Sequence, residues 1–260
     1  MNKAEKYKKE LSRHLGGNMD IYLYWKGRVA LYALLKAMGV DEGDEVILPG
    51  FTCVVVPNAI KYLGATPVYV DVEKGPMNPS PEHYQKVLSP KTKVLITQNT
   101  FGLSYQVDEI AAFAKQKGIY SIEDCTHGFG GTYKGRPNGS YCDAAFFSTQ
   151  WNKPFSTGIG GFASVNEKSL IPDLEKVNAG LLKPSGKDRF ILSALLFARD
   201  YVLNSSNYWR LRSLYRFLSK HNLVVGSSQG QELTGTSMPA DYFKNISETQ
   251  MSKGIKTLDY

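Results

Sequence analysis

Two residues of this sequence could together carry out carbonyl–amine chemistry. Lys153 lies in Ser148-Thr149-Gln150-Trp151-Asn152-Lys153-Pro154, and Asp124 in Ser121-Ile122-Glu123-Asp124-Cys125-Thr126-His127. A lysine beside an apolar or positively charged site has its pKa lowered and becomes a nucleophile toward an aldehyde. Pro154 biases Lys153 toward extended backbone, which helps fix where the long side chain points. Asp124 ends an apolar strand, where open α/β sheets bind ligands; a carboxylate there can hold a protonated pyridine nitrogen and make the ring an electron sink. Each residue alone has a plainer reading. An isolated strand-end Asp is more often a loop or N-cap residue, and a lone Lys more often a solvated surface side chain.

Two further strings add to the pair. Downstream of the lysine, Ser156-Thr157-Gly158-Ile159-Gly160-Gly161 permits a tight turn and close backbone approach to a ligand, although glycine runs are common in turns. Upstream, Lys26-Gly27-Arg28 precedes a helical run, so free N–H groups at the helix start and the Arg28 guanidinium could hold a phosphate. The plain reading of Gly27 is a helix cap.

The elements that must position these residues are legible as an alternation. Strand-length apolar runs fall at Glu45 to Pro49, Pro67 to Val72, Lys93 to Gln98, Tyr120 to Cys125, Ala144 to Thr149 and Gly161 to Val165. Between them, helical patterns occupy Val29 to Met38, Pro57 to Leu63 and Val107 to Lys117. This is the form of βα units on a mainly parallel, buried sheet. After Asn166 the pattern changes to long amphipathic helices, Lys187 to Leu203 and Tyr208 to Leu218, then a polar loop GSSQGQELTGTS. Their apolar residues are expected in core or dimer packing rather than on a membrane surface. Asn245 to Tyr260 reads as a helix that stops without a capping signal, which suggests a truncated chain.

Composition narrows the class. With 260 residues, 42% hydrophobic and 21% charged, the chain is expected to be globular. The net charge of +7 is spread along the sequence rather than gathered into an aromatic-interleaved stripe, which argues against nucleic acid and for mild anion affinity. Cys53, Cys125 and Cys142 form no CxxC pair and no metal spacing with the four histidines, so no metal site is expected and a reducing cytoplasm is. The charged N-terminus is unlike a signal peptide, and no run is long enough for a membrane span.

The strings GDEVILPGFT (43–52), LGATPVYVDV (63–72), IEDCTHGFGGTYKGRPNGSYCDAAFFS (122–148) and NKPFSTGIGG (152–161), in this order, resemble the DegT/DnrJ/EryC1/StrS sugar aminotransferases over roughly residues 22 to 166. The resemblance implies a three-layer α/β large domain of a fold type I pyridoxal 5'-phosphate (PLP) enzyme over 1–166. Residues 167–260 would then be a helical insertion and the start of a C-terminal segment whose small domain is absent here. It also implies a homodimer with a shared active site, moving an amino group, usually from glutamate, to a keto group of a nucleotide-linked sugar in polysaccharide or amino-sugar biosynthesis.

Position by position, Lys153 matches the family's Schiff-base and proton-shuttling lysine, and Asp124 the pyridinium partner. Ser148 matches a phosphate ligand, and Gly27-Arg28 stands where relatives have Gly-Thr. His127 holds a place near the cofactor's phenolic oxygen. Cys53 follows Thr52 where many relatives have a stacking aromatic, so stacking is expected from elsewhere, with Phe101 a candidate. The alternatives are a non-catalytic or fragmentary PLP-binding member, or a PLP-dependent sugar dehydratase, whose lysine is replaced by His.

Overall fold

A computed structural model describes residues 1–221, 224, 235 and 237–258. The polar loop expected after Lys220 falls mostly outside the described residues. In chain order the elements are α1 (Lys3–His14), β1 (Asp20–Tyr24), α2 (Gly27–Ala37), β2 (Glu45–Pro49), α3 (Val55–Lys61), β3 (Thr66–Val70), α4 (Pro81–Val87), β4 (Thr92–Gln98) and α5 (Val107–Lys117). They continue with β5 (Tyr120–Asp124), a small hairpin β6 (Thr132–Tyr133) and β7 (Arg136–Pro137), then β8 (Ala144–Ser148), β9 (Gly161–Val165) and α6 (Ile171–Asn178). Last come α7 (Gly186–Phe197), which runs into a π-turn at Ala198–Val202, α8 (Tyr208–Lys220) and α9 (Glu248–Leu258).

Seven strands form one sheet in the order β1-β9-β8-β5-β4-β2-β3. Every neighbouring pair is parallel except the two made by β9, which runs antiparallel to β8 and β1. The expected α/β class and mainly parallel sheet are therefore present. Because β9 is reversed, its first residue lies at the same sheet edge as the last residues of β1, β4, β5 and β8. Tyr24, Gln98, Asp124, Ser148 and Gly161 all end up along that edge.

Alternation along the strands builds a layer on each face. Phe146 of β8 packs with Leu31, Leu34 and Ile122 on the α2 side, whereas its neighbour Phe147 packs with Phe162, Tyr7 and Leu11 on the α1 side. Farther along, Ile47 and Leu95 meet Ile110 and Ala114 of α5. The helix α2 sits at the centre, with nearly every residue of GRVALYALLKA buried.

Some elements departed from expectation. The charged N-terminus is α1, whose Tyr7 and Leu11 are buried and whose Asn2 and Glu5 close a capping box. Lysines and glutamates outnumber its apolar positions, so the short buried stripe is easily missed. The short elements β1 and α4 also went unread. Helix α3 begins at Val55, ahead of Pro57, because a first-turn N–H has no intrahelical partner for proline to remove. Gly254 in α9 has a reason to be glycine inside a helix: a Cβ there would lie 2.4 Å from the Tyr7 ring of α1.

Glycines also let α2 approach the edge of the sheet. A Cβ on Gly161 would stand 2.3 Å from the backbone of Gly27, and one on Gly27 would stand 2.8 Å from the Phe147 carbonyl oxygen. Neither obstacle is a flexible side chain. Gly161→Ala is expected to lower unfolding stability by about 1–3 kcal/mol or more, since the strand or the helix must shift to admit the methyl. Urea unfolding measures this directly.

Candidate active site

A cavity of about 570 Å³ opens at the carboxyl edge of the sheet. Gly27, Arg28, Cys53, Asp124, His127, Ser148 and Lys153, the seven residues singled out from sequence, all line it. They come from four places: the start of α2, the β2–α3 loop, the end of β5 with the loop after it, and the end of β8 with the β8–β9 loop. Gln98 and Thr100 beyond β4, with Phe51, Phe101, Trp151 and Tyr215, complete the walls.

Asp124 forms part of the floor and is 3% exposed. Its Oδ1 accepts the Thr126 N–H at 2.9 Å. Burial pushes this carboxyl above the usual carboxylate range, against the opposing pull of the Thr126 hydrogen bonds and of the Lys153 charge. Lys153 shows the complementary effect. Burial lowers its ammonium from the ordinary lysine value, while Asp124 and Cys53 pull it back up. The amine is thereby brought toward its nucleophilic, neutral form. His127 is also shifted down, by burial first and by the Lys153 charge second.

The lysine loop is held at its base rather than at its tip. Thr149 N–H donates to the Gly160 carbonyl at 2.9 Å and Thr157 N–H to the Thr149 carbonyl at 2.9 Å. The Thr149 and Thr157 hydroxyls meet at 2.7 Å. A Cβ on Gly160 would collide with both hydroxyls, at 2.3 and 2.5 Å, so glycine is what allows the loop to close this tightly.

Gln250 of α9 fastens this loop to the start of α2. Fully buried, it donates from Nε2 to the Ile159 carbonyl at 2.5 Å and the Trp25 carbonyl at 3.2 Å, while Oε1 accepts the Ser247 N–H at 2.7 Å. Nothing in the sequence marks this glutamine, because its partners are carbonyls about 90 and 225 residues distant along the chain. Gln250→Leu removes the side-chain partners of the Trp25 carbonyl and the Ser247 N–H, leaving the Ile159 carbonyl its Thr157 hydroxyl, and is expected to cost about 1–3 kcal/mol in urea unfolding.

The helical segment closes another side. Leu192 and Leu196 of α7 bury against Trp25, Ile159 and Trp151. Arg199 donates to the Ser156 hydroxyl at 2.8 Å and lies 5.4 Å from the centre of the Trp151 ring. Tyr215 of α8 reaches the cavity itself. These contacts were not legible in the sequence, where the segment showed only helical periodicity.

An aromatic wall faces the lysine side. Phe101 stacks parallel to His127, with centroids 6.5 Å apart and planes 8° from coplanar, and Phe51 leans on Phe101 at 6.0 Å. Phe101 holds a left-handed backbone, φ 54°, which non-glycine residues adopt rarely. Cys53 is an exposed, free thiol. Phe101 and Cys53 line the same cavity.

The residues fit a ligand with an aldehyde, a basic ring nitrogen and a phosphate. A buried carboxylate and a pKa-lowered lysine share one cavity with the start of α2, whose N-cap Lys26 makes no side-chain hydrogen bond over the first turn. Gly27, with no Cβ, lets that helix start lie directly against Ser148. A helix N-terminus beside a hydroxyl and a guanidinium is a phosphate-binding arrangement.

The cavity residues from Gly27 to Lys153 fall within the span that known proteins share. The sequence is 39% identical over 144 residues to a GDP-perosamine synthase of Escherichia coli O157:H7, covering 55% of this chain and 40% of that one. It is 30% identical over 200 residues to a GDP-perosamine synthase of Caulobacter vibrioides, covering 77% and 54%. The chain thus spans about half the length of these relatives. The fold superimposes on an aminotransferase from Psychrobacter cryohalolentis with a TM-score of 0.71 at 24% identity, over 99% of this chain and 56% of that one, so the helical segment is included in the shared fold. Residues 2–194 match the DegT/DnrJ/EryC1/StrS aminotransferase family, and the chain belongs to it.

Proposed function

We propose that this chain is the PLP-binding part of an aminotransferase that moves an amino group from an amino-acid donor, glutamate being the expected one, to a keto group of a nucleotide-linked sugar. The observation that carries the reading is the meeting of Lys153, Asp124, Ser148 and the start of α2 in one cavity. When bound there, PLP supplies the electron sink that makes a substrate C–H acidic.

The protein's own residues supply the rest. Lys153, whose amine burial brings toward its neutral form, would hold the cofactor's aldehyde and would be the group placed to take up and return a substrate proton. Asp124 keeps the ring nitrogen protonated. Gly27, Arg28 and Ser148 would hold the phosphate, His127 would lie near the cofactor ring, and Phe101 would supply the stacking aromatic.

Membership in the family and the GDP-perosamine synthase relatives support the nucleotide-sugar acceptor and a role in polysaccharide or amino-sugar biosynthesis. A homodimer with a shared site and a cytoplasmic location are part of the same proposal. No helix among the described residues is long and apolar enough to cross a membrane, and none of their His, Cys, Asp and Glu groups could hold a metal ion. Loading the protein with PLP and adding glutamate tests the reading. One equivalent of 2-oxoglutarate per site is expected; PLP capture without 2-oxoglutarate would reduce the protein to a cofactor-binding member, and no capture would overturn the proposal.

A further inference from the structure

Behind the aromatic wall runs a chain of polar side chains that no step proposed above uses. Asn99, just past β4, and Glu123 of β5 are 1 and 0% exposed. The Asn99 Nδ2 donates to the Glu123 carboxyl at 3.1 Å and to the Ser104 hydroxyl at 2.9 Å. Ser104 donates to the Asn138 Oδ1 at 2.8 Å, and the Asn138 Nδ2, also buried, donates to the Gly128 carbonyl at 3.1 Å. The chain thus joins the turn after β4, the end of β5 with the loop that follows it, and the residue after β7. Asn99, Glu123, Ser104 and Asn138 stand outside the lining of the cavity. Amides and a carboxyl buried in this way are costly unless all are paired, so their presence asks for a reason.

The reason lies in the turn that the chain holds. Phe101 and Gly102 both have positive φ, 54 and 88°. Glycine takes such a backbone freely, whereas phenylalanine keeps it only where its surroundings over-determine it. Residues on both sides of Phe101 are pinned. The Asn99 N–H donates to the Asp124 carbonyl at 3.0 Å, and the Thr100 hydroxyl donates to the Asn78 Oδ1 at 2.6 Å. The Gly102 and Leu103 N–H groups close the turn onto the Asn99 and Thr100 carbonyls, each at 3.0 Å. The loop carrying His127 packs directly on this turn: a Cβ on Gly128 would lie 2.2 Å from the Asn99 Oδ1, and one on Gly102 3.1 Å from the His127 carbonyl oxygen. The nearly parallel Phe101 and His127 rings therefore issue from two loops that the polar chain fastens together.

We propose that Asn99, braced by Glu123 and Ser104, is a positioning residue that keeps the Phe101 turn left-handed and so sets the Phe101 ring parallel to His127 at the cofactor cleft. The inference rests on the PLP reading above, in which Phe101 stacks on the cofactor ring. Asn99 itself lies outside the cavity and acts through Phe101. Alanine at this position would leave the Glu123 carboxyl, whose pKa burial already raises, without the Asn99 donor. It would also release the turn to relax toward negative φ, which swings the Phe101 ring out of line.

A double-mutant cycle on PLP affinity is the test. The full chain as wild type, Asn99→Ala, Phe101→Ala and the double variant is titrated with PLP, and binding is read from the absorbance of the captured cofactor. Phe101→Ala is expected to weaken affinity by about tenfold, the scale of one aromatic stack, and Asn99→Ala by about as much. The double variant should lose no more than about twofold beyond either single one, because both changes remove the same contact. A residue that only stabilises the fold would instead multiply the losses to about a hundredfold, and that result would overturn the proposal. An affinity of Asn99→Ala equal to that of wild type would do so too. If Asn99→Ala does not fold, Ser104→Ala takes its place, since it leaves the Asn99–Glu123 pair intact. It should lose about threefold beside Phe101 and nothing further in Phe101→Ala, and equal losses in both backgrounds would be the overturning result. A wild type that captures no PLP would overturn the cofactor reading together with this inference, whereas capture with multiplied losses overturns this inference alone.

Discussion

Lys153→Ala is expected to abolish covalent capture of PLP and to reduce turnover by on the order of 10²–10⁴-fold, the range that a positioned acid–base group contributes. Borohydride treatment followed by peptide mass spectrometry measures the first effect, with the wild-type label on the peptide containing Lys153. Retention of a reducible label in the variant, on any other lysine, would show that the wrong residue has been assigned. The structure also gives the pH dependence a sign. Burial lowers the Lys153 pKa, so the neutral amine is populated at lower pH than for an ordinary lysine. The rate of PLP capture should rise with pH and level off before the range in which exposed lysines titrate. A capture rate that keeps climbing into that range would mean that the burial of Lys153 does not govern its reactivity.

The sheet was legible because buried parallel strands are continuous apolar runs, and six of the seven strands of the large sheet announced themselves in that way. The cofactor edge followed from strand ends, which is how Asp124 and Ser148 could be read. By the same rule Gln98, at the end of β4, was within reach. It receives the Thr52 hydroxyl at 2.8 Å and donates to the Thr100 hydroxyl at 2.8 Å, fixing the loop before α3 to the loop after β4. What sequence could not give were contacts made by elements far apart along the chain. Gln250, Arg199 and Tyr215 reach the site only because α7, α8 and α9 fold back over it. Helical periodicity shows that such helices exist and which stripe is apolar, not which neighbour the stripe meets. In α7, Leu192 and Leu196 make the contacts within the chain, while Phe190 and Tyr201 are exposed on it, a division that periodicity does not give.

The clearest separation of chemistry from architecture is expected at Asp124. Its pKa is raised by burial, so the sign of its linkage to stability is fixed. A carboxyl raised in the folded state contributes stability below its unfolded pKa and loses that contribution as pH rises through the folded pKa. In protein without cofactor, ionised Asp124 is therefore a burden at neutral pH. Asn at this position keeps an oxygen for the Thr126 N–H and removes the charge. Asp124→Asn should leave the cofactor-free protein as stable as wild type or more so, and flatten the fall in melting temperature with rising pH. The same change removes the anion that holds the ring nitrogen protonated, and turnover should drop by about 10²–10³-fold, the scale of a lost electrostatic partner in a water-poor site. A purely structural aspartate would give the opposite pair of results: lower stability without cofactor and near-normal rates in whatever protein folds. Thermal melts without PLP across a pH series, set beside single-turnover 2-oxoglutarate formation with PLP, decide between the two.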